Sequence, residues 1–155
     1  MKNNTCNATV IIFCLLLLLG YGCKVDDNNI TYNPVAYNLE TGDLTPPDLP
    51  ADNELTVDGV ELGRMLFYEK KLSLDNSISC ASCHLQEFAF SDTARLSKGV
   101  NDLLGKRQAM AVFNSAWNTN GFFWDGRAEL LRHQALLPIQ DQLEMQETIP
   151  NVISK

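Results

Sequence analysis

The chain has 155 residues, 45% hydrophobic and 20% charged, which is an ordinary globular composition and a length that suits one domain. Its net charge of -7 and pI near 4.7 argue against nucleic acid, whose phosphates select a basic face. An acidic surface suits a basic protein partner or plain solubility.

Residues 1–22 read as a lipoprotein-type signal peptide. Lys2 precedes the apolar run Val10–Leu19, and Gly20-Tyr21-Gly22 offers small residues before Cys23. That run is too short for an ordinary membrane span. Cys23 stands where such a signal places its lipidated cysteine, although Gly20 departs from the usual apolar residue, and plain secretion is the alternative. Either route implies an oxidising compartment, and lipidation implies a periplasmic or outer-membrane lipoprotein of a Gram-negative bacterium. Membrane contact would then be through the lipid alone. Cys6 and Cys14 leave with the signal, so Cys80 and Cys83 are the cysteines of the folded part.

Residues 23–53 read as a flexible linker, rich in Asn and Asp, with Thr45-Pro46-Pro47-Asp48-Leu49-Pro50 favouring extended backbone. Residues 54–155 form the expected domain. A helix is predicted over Val57 to Tyr68, capped by Thr56, with Val60, Gly63, Leu66 and Phe67 on one face. Gly63 there either admits a close neighbour or is a tolerated mid-helix glycine. Lys70 to Ser77 reads as a turn, and Gly99, Asn101, Asp102 and Gly105 mark a loop. Further helices are expected over Ala109–Trp117 and Arg127–Leu137, the second ended by Pro138. No useful strand pattern appears. The expected fold class is all-α, a domain with long loops and an interior organised by a cofactor, whose motif makes it a cytochrome c-like haem domain: Cys80 and Cys83 followed by His84.

That cofactor is indicated by Cys80-Ala81-Ser82-Cys83-His84. Two thiols three residues apart on a turn reach the two vinyl groups of one haem, and the next residue sets an imidazole under the iron. A thioredoxin-like pair would want a βαβ context, and a zinc site would need further ligands. The motif therefore assigns one covalent haem c to Cys80 and Cys83, with His84 as axial ligand.

The flanking residues resemble the bacterial dihaem cytochrome c peroxidases and the related MauG-type enzymes. The similarity runs through Leu62-Gly63-Arg64-Met65-Leu66-Phe67, Ile78 to His84, Phe88-Ala89-Phe90-Ser91-Asp92, Phe122-Phe123-Trp124-Asp125-Gly126-Arg127-Ala128 and Leu143-Glu144-Met145. It covers about residues 54 to 147 in order. The family has two haem domains, and this chain resembles the N-terminal, peroxidatic one. It shows one CxxCH, so a truncated parent lacking the C-terminal haem domain is the expected architecture, and a single-haem relative the alternative.

The resemblance implies site residues. Trp124 resembles the tryptophan between the haems, an electron relay, with a core aromatic as its plain role. Glu144 resembles the acid/base at the peroxide-binding face, which can move a proton between the two oxygens of hydrogen peroxide; otherwise it is a loop charge. Gln134 resembles the amide assisting there. Arg127 pairs with a haem propionate or with a carboxylate, Asp125 included. Many family members carry a ligating histidine in the loop after the haem motif, whereas Ser97-Lys98-Gly99-Val100-Asn101-Asp102 has none. The iron is thus expected to be open or water-occupied at its sixth position. His133, Met110 and Met145 are expected to be surface or core residues. Calcium, which the family often holds through an asparagine, is not favoured, since Gln108 follows Arg107.

The implied activity is haem-dependent reduction of hydrogen peroxide to water with electrons from a donor cytochrome c or similar small redox protein. MauG-like substrate oxidation and a monohaem electron carrier are the alternatives. A homodimer is admissible.

Overall fold

The computed structural model describes residues 34–155. The signal segment, the lipidation candidate Cys23 and residues 24–33 lie outside the described residues. Helices α1 (Val57–Tyr68), α2 (Leu131–Gln140) and α3 (Ile149–Ser154) are joined by long loops carrying single 3-10 turns, among them Lys70–Leu72, Cys80–Ser82, Val100–Asp102 and Ser115–Trp117. Pairing of extended backbone among the described residues is confined to isolated bridges, such as Leu85 with Ser91 and Phe122 with Ala128.

Helix α1 begins where its cap requires. The Thr56 hydroxyl accepts from Gly59 N at 3.0 Å, satisfying one orphan donor of the first turn. The helix packs on the Cys80–Ser82 turn. Val60 and Phe67 are half-buried, whereas Leu66 and Gly63 on the expected face are exposed, and no atom stands within 4 Å of a Cβ built at Gly63.

Two expected helices differ. Ala109–Trp117 is extended and ends in a 3-10 turn, because its backbone bonds to distant segments. Ala109 O accepts from Ser91 Oγ at 2.9 Å, Gln108 O from Trp124 Nε1 at 2.9 Å, and Val112 N donates to Phe90 O at 3.3 Å. Asn114 is left-handed at φ 54°, which no α-helix tolerates. The helix expected over Arg127–Leu137 starts at Leu131 and runs to Gln140, because Phe122 N donates to Ala128 O at 2.7 Å and holds 122–128 as a tight hairpin. Pro138 lies inside α2 rather than ending it. It removes one backbone donor, and the Gln140 side chain turns back to Leu136 O at 3.1 Å.

The buried apolar core is small. Leu72, Ile139 and Met145 cluster, with Ile78, Ile149 and Val152 against them. Residues 34–53, expected as linker, are mostly exposed and tied to the domain. Tyr37 N donates to Leu55 O at 2.9 Å, Trp117 Nε1 to Thr45 O at 2.7 Å, and Arg132 pairs with Asp52 at 2.9 Å.

Candidate haem site

The motif occupies a 3-10 turn. Cys83 N and His84 N both donate to Cys80 O, at 3.1 and 3.0 Å, so one carbonyl gathers all three chemically active residues into one turn. Ser79 opens it, its N–H donating to Ser82 Oγ at 3.0 Å. Both thiols are free and half-buried. Burial pushes each above the ordinary thiol range, and the charge of Glu144 adds to it.

His84 is aimed by the loop that follows. Ala89 and Phe90 are consecutive left-handed residues, at φ 56° and 55°, and the reversal brings Phe90 O to 3.1 Å from His84 Nδ1. A carbonyl only accepts, so Nδ1 carries the proton and Nε2 keeps its lone pair for a metal. The Phe67 ring lies 6.4 Å from the imidazole and 6.0 Å from Phe90, closing one side. Two free thiols and an imidazole with its outer nitrogen held by a carbonyl are the donor chemistry that haem c requires.

Glu144 comes to the same region by another route. The turn after α2 is built on Asp141, whose side chain accepts from Leu143 N at 2.7 Å and whose carbonyl accepts from Glu144 N at 3.1 Å. Val100 N then donates to Glu144 O at 2.8 Å, joining this turn to the 97–105 loop. Burial pushes the Glu144 carboxyl above the usual carboxylate range; Asp141 adds to the rise and Arg127 opposes it. Glu144 is therefore a half-buried carboxyl whose charge is felt at both thiols.

Arg127 pairs with Asp125 at 2.9 Å, the carboxylate alternative, and its guanidinium stacks 3.6 Å over the Phe123 ring. Arg107 takes the other Asp125 oxygen at 2.8 Å. Together, Arg127 foremost, they hold the Asp125 carboxyl down to about 2. Trp124 is 60% exposed in this chain, and its bond to Gln108 O fixes the indole plane. Gln134 is half-buried on α2, with no side-chain bond to Glu144, and His133 beside it is exposed. Met145 is a core residue at 3% exposure. Sequence reasoning missed Phe90 as the acceptor for His84, Arg107 as the second partner of Asp125, and Ser97, whose hydroxyl is buried beside Cys83 and Asp92 without closing a well-formed hydrogen bond.

Residues 57–155 match the family described as di-haem cytochrome c peroxidase. The chain belongs to that family. Among curated relatives it is 35% identical over 112 residues to the methylamine utilization protein MauG of Methylophilus methylotrophus, covering 71% of this chain and 33% of that protein. It is 40% identical over 100 residues to cytochrome c peroxidase Ccp of Escherichia coli K12, covering 64% of this chain and 20% of that one. A solved MauG-like protein associated with microbial copper homeostasis superposes with a TM-score of 0.69 at 33% identity, over 77% of this chain and 36% of that one. The dihaem peroxidase BthA of Burkholderia thailandensis superposes at 0.57 with 26% identity, over 74% and 31%. The chain thus spans about a third or less of the length of these di-haem peroxidase relatives, and their c-type haem chemistry and peroxidase-class electron transfer are the family's.

Proposed function

We propose that this chain carries the peroxide-facing haem of a cytochrome-c peroxidase, reducing H2O2 with two electrons and two protons to two waters. The observation that carries the reading is the meeting of the Cys80–His84 turn with the turn of the half-buried Glu144 on one loop: Cys83 Sγ lies 3.9 Å from Lys98 O, and two residues on Val100 N donates to Glu144 O at 2.8 Å. Cys80 and Cys83 would hold a haem c, which would supply an iron at which peroxide is reduced. His84 would offer it Nε2, with Nδ1 oriented by Phe90 O.

The Glu144 carboxylate takes the proton from one peroxide oxygen and returns it to the other. Its raised affinity for protons suits that shuttle. Gln134 orients peroxide through its amide, and Arg127, paired with Asp125, opposes the rise at Glu144. Trp124, with its indole fixed at Gln108 O, relays electrons from a second haem domain supplied by a donor cytochrome or similar small redox protein. Residues 97–102 contain no histidine, so this loop would leave peroxide free access to the haem; a low-spin, bis-ligated resonance spectrum of the oxidised haem would contradict this. The parent protein resides in the periplasm, anchored through Cys23 where that residue is lipidated.

Stopped-flow mixing of haem-loaded protein with H2O2 tests the reading. Prompt reaction is expected, and Glu144→Gln should slow it by about 10²- to 10⁴-fold. An unchanged rate removes Glu144 from the mechanism, and inertness of the unsubstituted protein favours a monohaem carrier. MauG-like oxidation of another substrate is favoured by the MauG relatives; there, peroxide would be consumed without oxidation of a donor cytochrome.

A further inference from the structure

The turn that carries Glu144 ends on a strained residue. Gln146 is left-handed at φ 55°, a conformation that costs a side-chain-bearing residue about 1 kcal/mol or more and is held only where the surroundings over-determine it. The surroundings here are specific. Gln146 N donates to Asp141 O at 3.1 Å, and its side-chain Nε2 donates to Val100 O at 3.3 Å. Val100 N in turn donates to Glu144 O at 2.8 Å. Val100 is only 1% exposed; its N–H is bonded to the Glu144 turn alone, and its carbonyl accepts from Gln146 and, at 3.4 Å, from Leu103 N of its own turn. Beside it, a Cβ at Gly99 would stand 2.1 Å from Leu143 O and 2.6 Å from Glu144 O, so the two backbones are as close as glycine allows.

We propose that Gln146 is the positioning residue of the peroxide-facing carboxyl: its amide closes a ring with Val100 that locks the Glu144 turn onto the 97–105 loop. The inference rests on the assignment of Glu144 as proton carrier. Gln146 does not touch the reacting atoms. It fixes the backbone from which the Glu144 side chain reaches, and a displacement of about 1 Å at such a group can cost 10²-fold in rate.

Two variants separate positioning from folding. Gln146→Gly removes the amide and relieves the left-handed strain. Gln146→Asn keeps an amide and tolerates that φ, but is one methylene too short to reach Val100 O. Both should fold with unchanged haem content. In both, amide hydrogen exchange at Val100 should quicken at least tenfold, and the reaction of the haem-loaded chain with H2O2 should slow about tenfold or more. Unchanged exchange at Val100 overturns the brace. Faster exchange with an unchanged peroxide rate overturns the positioning role. Glu144→Gln run in parallel keeps the two readings apart: if the Gln146 variants slow the reaction and Glu144→Gln does not, the proton-carrier assignment fails while the brace, read by exchange, stands.

Discussion

His84 Nδ1 faces a backbone carbonyl at 3.1 Å, and that single contact decides which nitrogen is free for iron. On the proposed assignment, replacing His84 by Ala would leave the thiols to attach haem without this imidazole, so the visible spectrum should lose the features of imidazole ligation. Among the carboxyls whose proton affinities the fold moves, Glu144 is raised, whereas Asp125, like Asp52, Asp75, Asp92 and Glu147, is lowered. Burial raises Glu144. A base must be deprotonated to act, so the peroxide rate should fall with decreasing pH at an apparent pKa above the ordinary glutamate range. Arg127 lowers Glu144, and Arg127→Leu should move that acid limb further upward in a stopped-flow pH series. Asp125 is held down to about 2 by Arg127 and Arg107. Its unfolded value is about 3.9, so the stability it contributes is present above pH ~4 and lost as pH falls toward 2. Asp125→Asn should flatten the pH dependence of the thermal midpoint across that window and leave the shape of the curve above pH 5 unchanged.

At the scale of elements, the site is an agreement between two loops. The 97–105 loop is a tight hairpin, with Gly99 N donating to Leu103 O at 2.8 Å and Gly105 N to Ser97 O at 3.0 Å. It meets the turn after α2 at Gly99 and Val100. Gly99 has φ -88°, which any residue adopts, so glycine is needed there for space alone. Gly99→Ala should therefore destabilise by about 1–3 kcal/mol, because the neighbour that must give way is backbone. Chemical denaturation checks the loss, and slower reaction with peroxide should accompany it as the Glu144 turn is pushed away. The hairpin 122–128 is a second such element. Gly121 and Gly126 are left-handed at φ 77° and 67°, and a Cβ at Gly121 would stand 2.6 Å from Gly126 O. That crossing puts Trp124 at the tip and Arg127 on the Phe123 ring.

At the scale of the whole molecule, the buried apolar residues among those described are few, namely Leu72, Val100, Ala128, Ile139 and Met145. Many large apolar side chains lie at the surface instead, including Leu62, Met65, Phe113 and Trp124. Apolar burial on that scale supports limited stability. A covalently held macrocycle, where bound, would add apolar contact from the inside. The Cys80→Ser, Cys83→Ser double variant should accordingly lose covalent haem and unfold at a lower temperature, over a broader transition, followed by circular dichroism. A sharp transition at an unchanged midpoint would show that the protein core suffices.

The sequence by itself pointed to Cys80, Cys83 and His84 as the proposed haem residues, because porphyrin geometry dictates the CxxCH spacing whatever the surrounding fold. It also determined helix α1, since the Thr56 cap and the periodicity that follows are local signals. The string from Phe122 to Ala128 marked the family, but not its shape: the helix expected from Arg127 begins at Leu131 because the Phe122–Ala128 pairing takes up the intervening backbone. The segment 109–117 shows the same effect, its helical pattern overridden by bonds to Phe90, Ser91 and Trp124. What only the tertiary structure decided is which residues meet. Glu144 and Val100 are far apart in the chain, and the contact that unites their loops runs through Val100, Gly99 and a left-handed Gln146. None of these leaves a periodic or compositional trace, because a close approach of two backbones and a positive φ on a non-glycine residue are imposed by packing between segments, not by any one segment's preference.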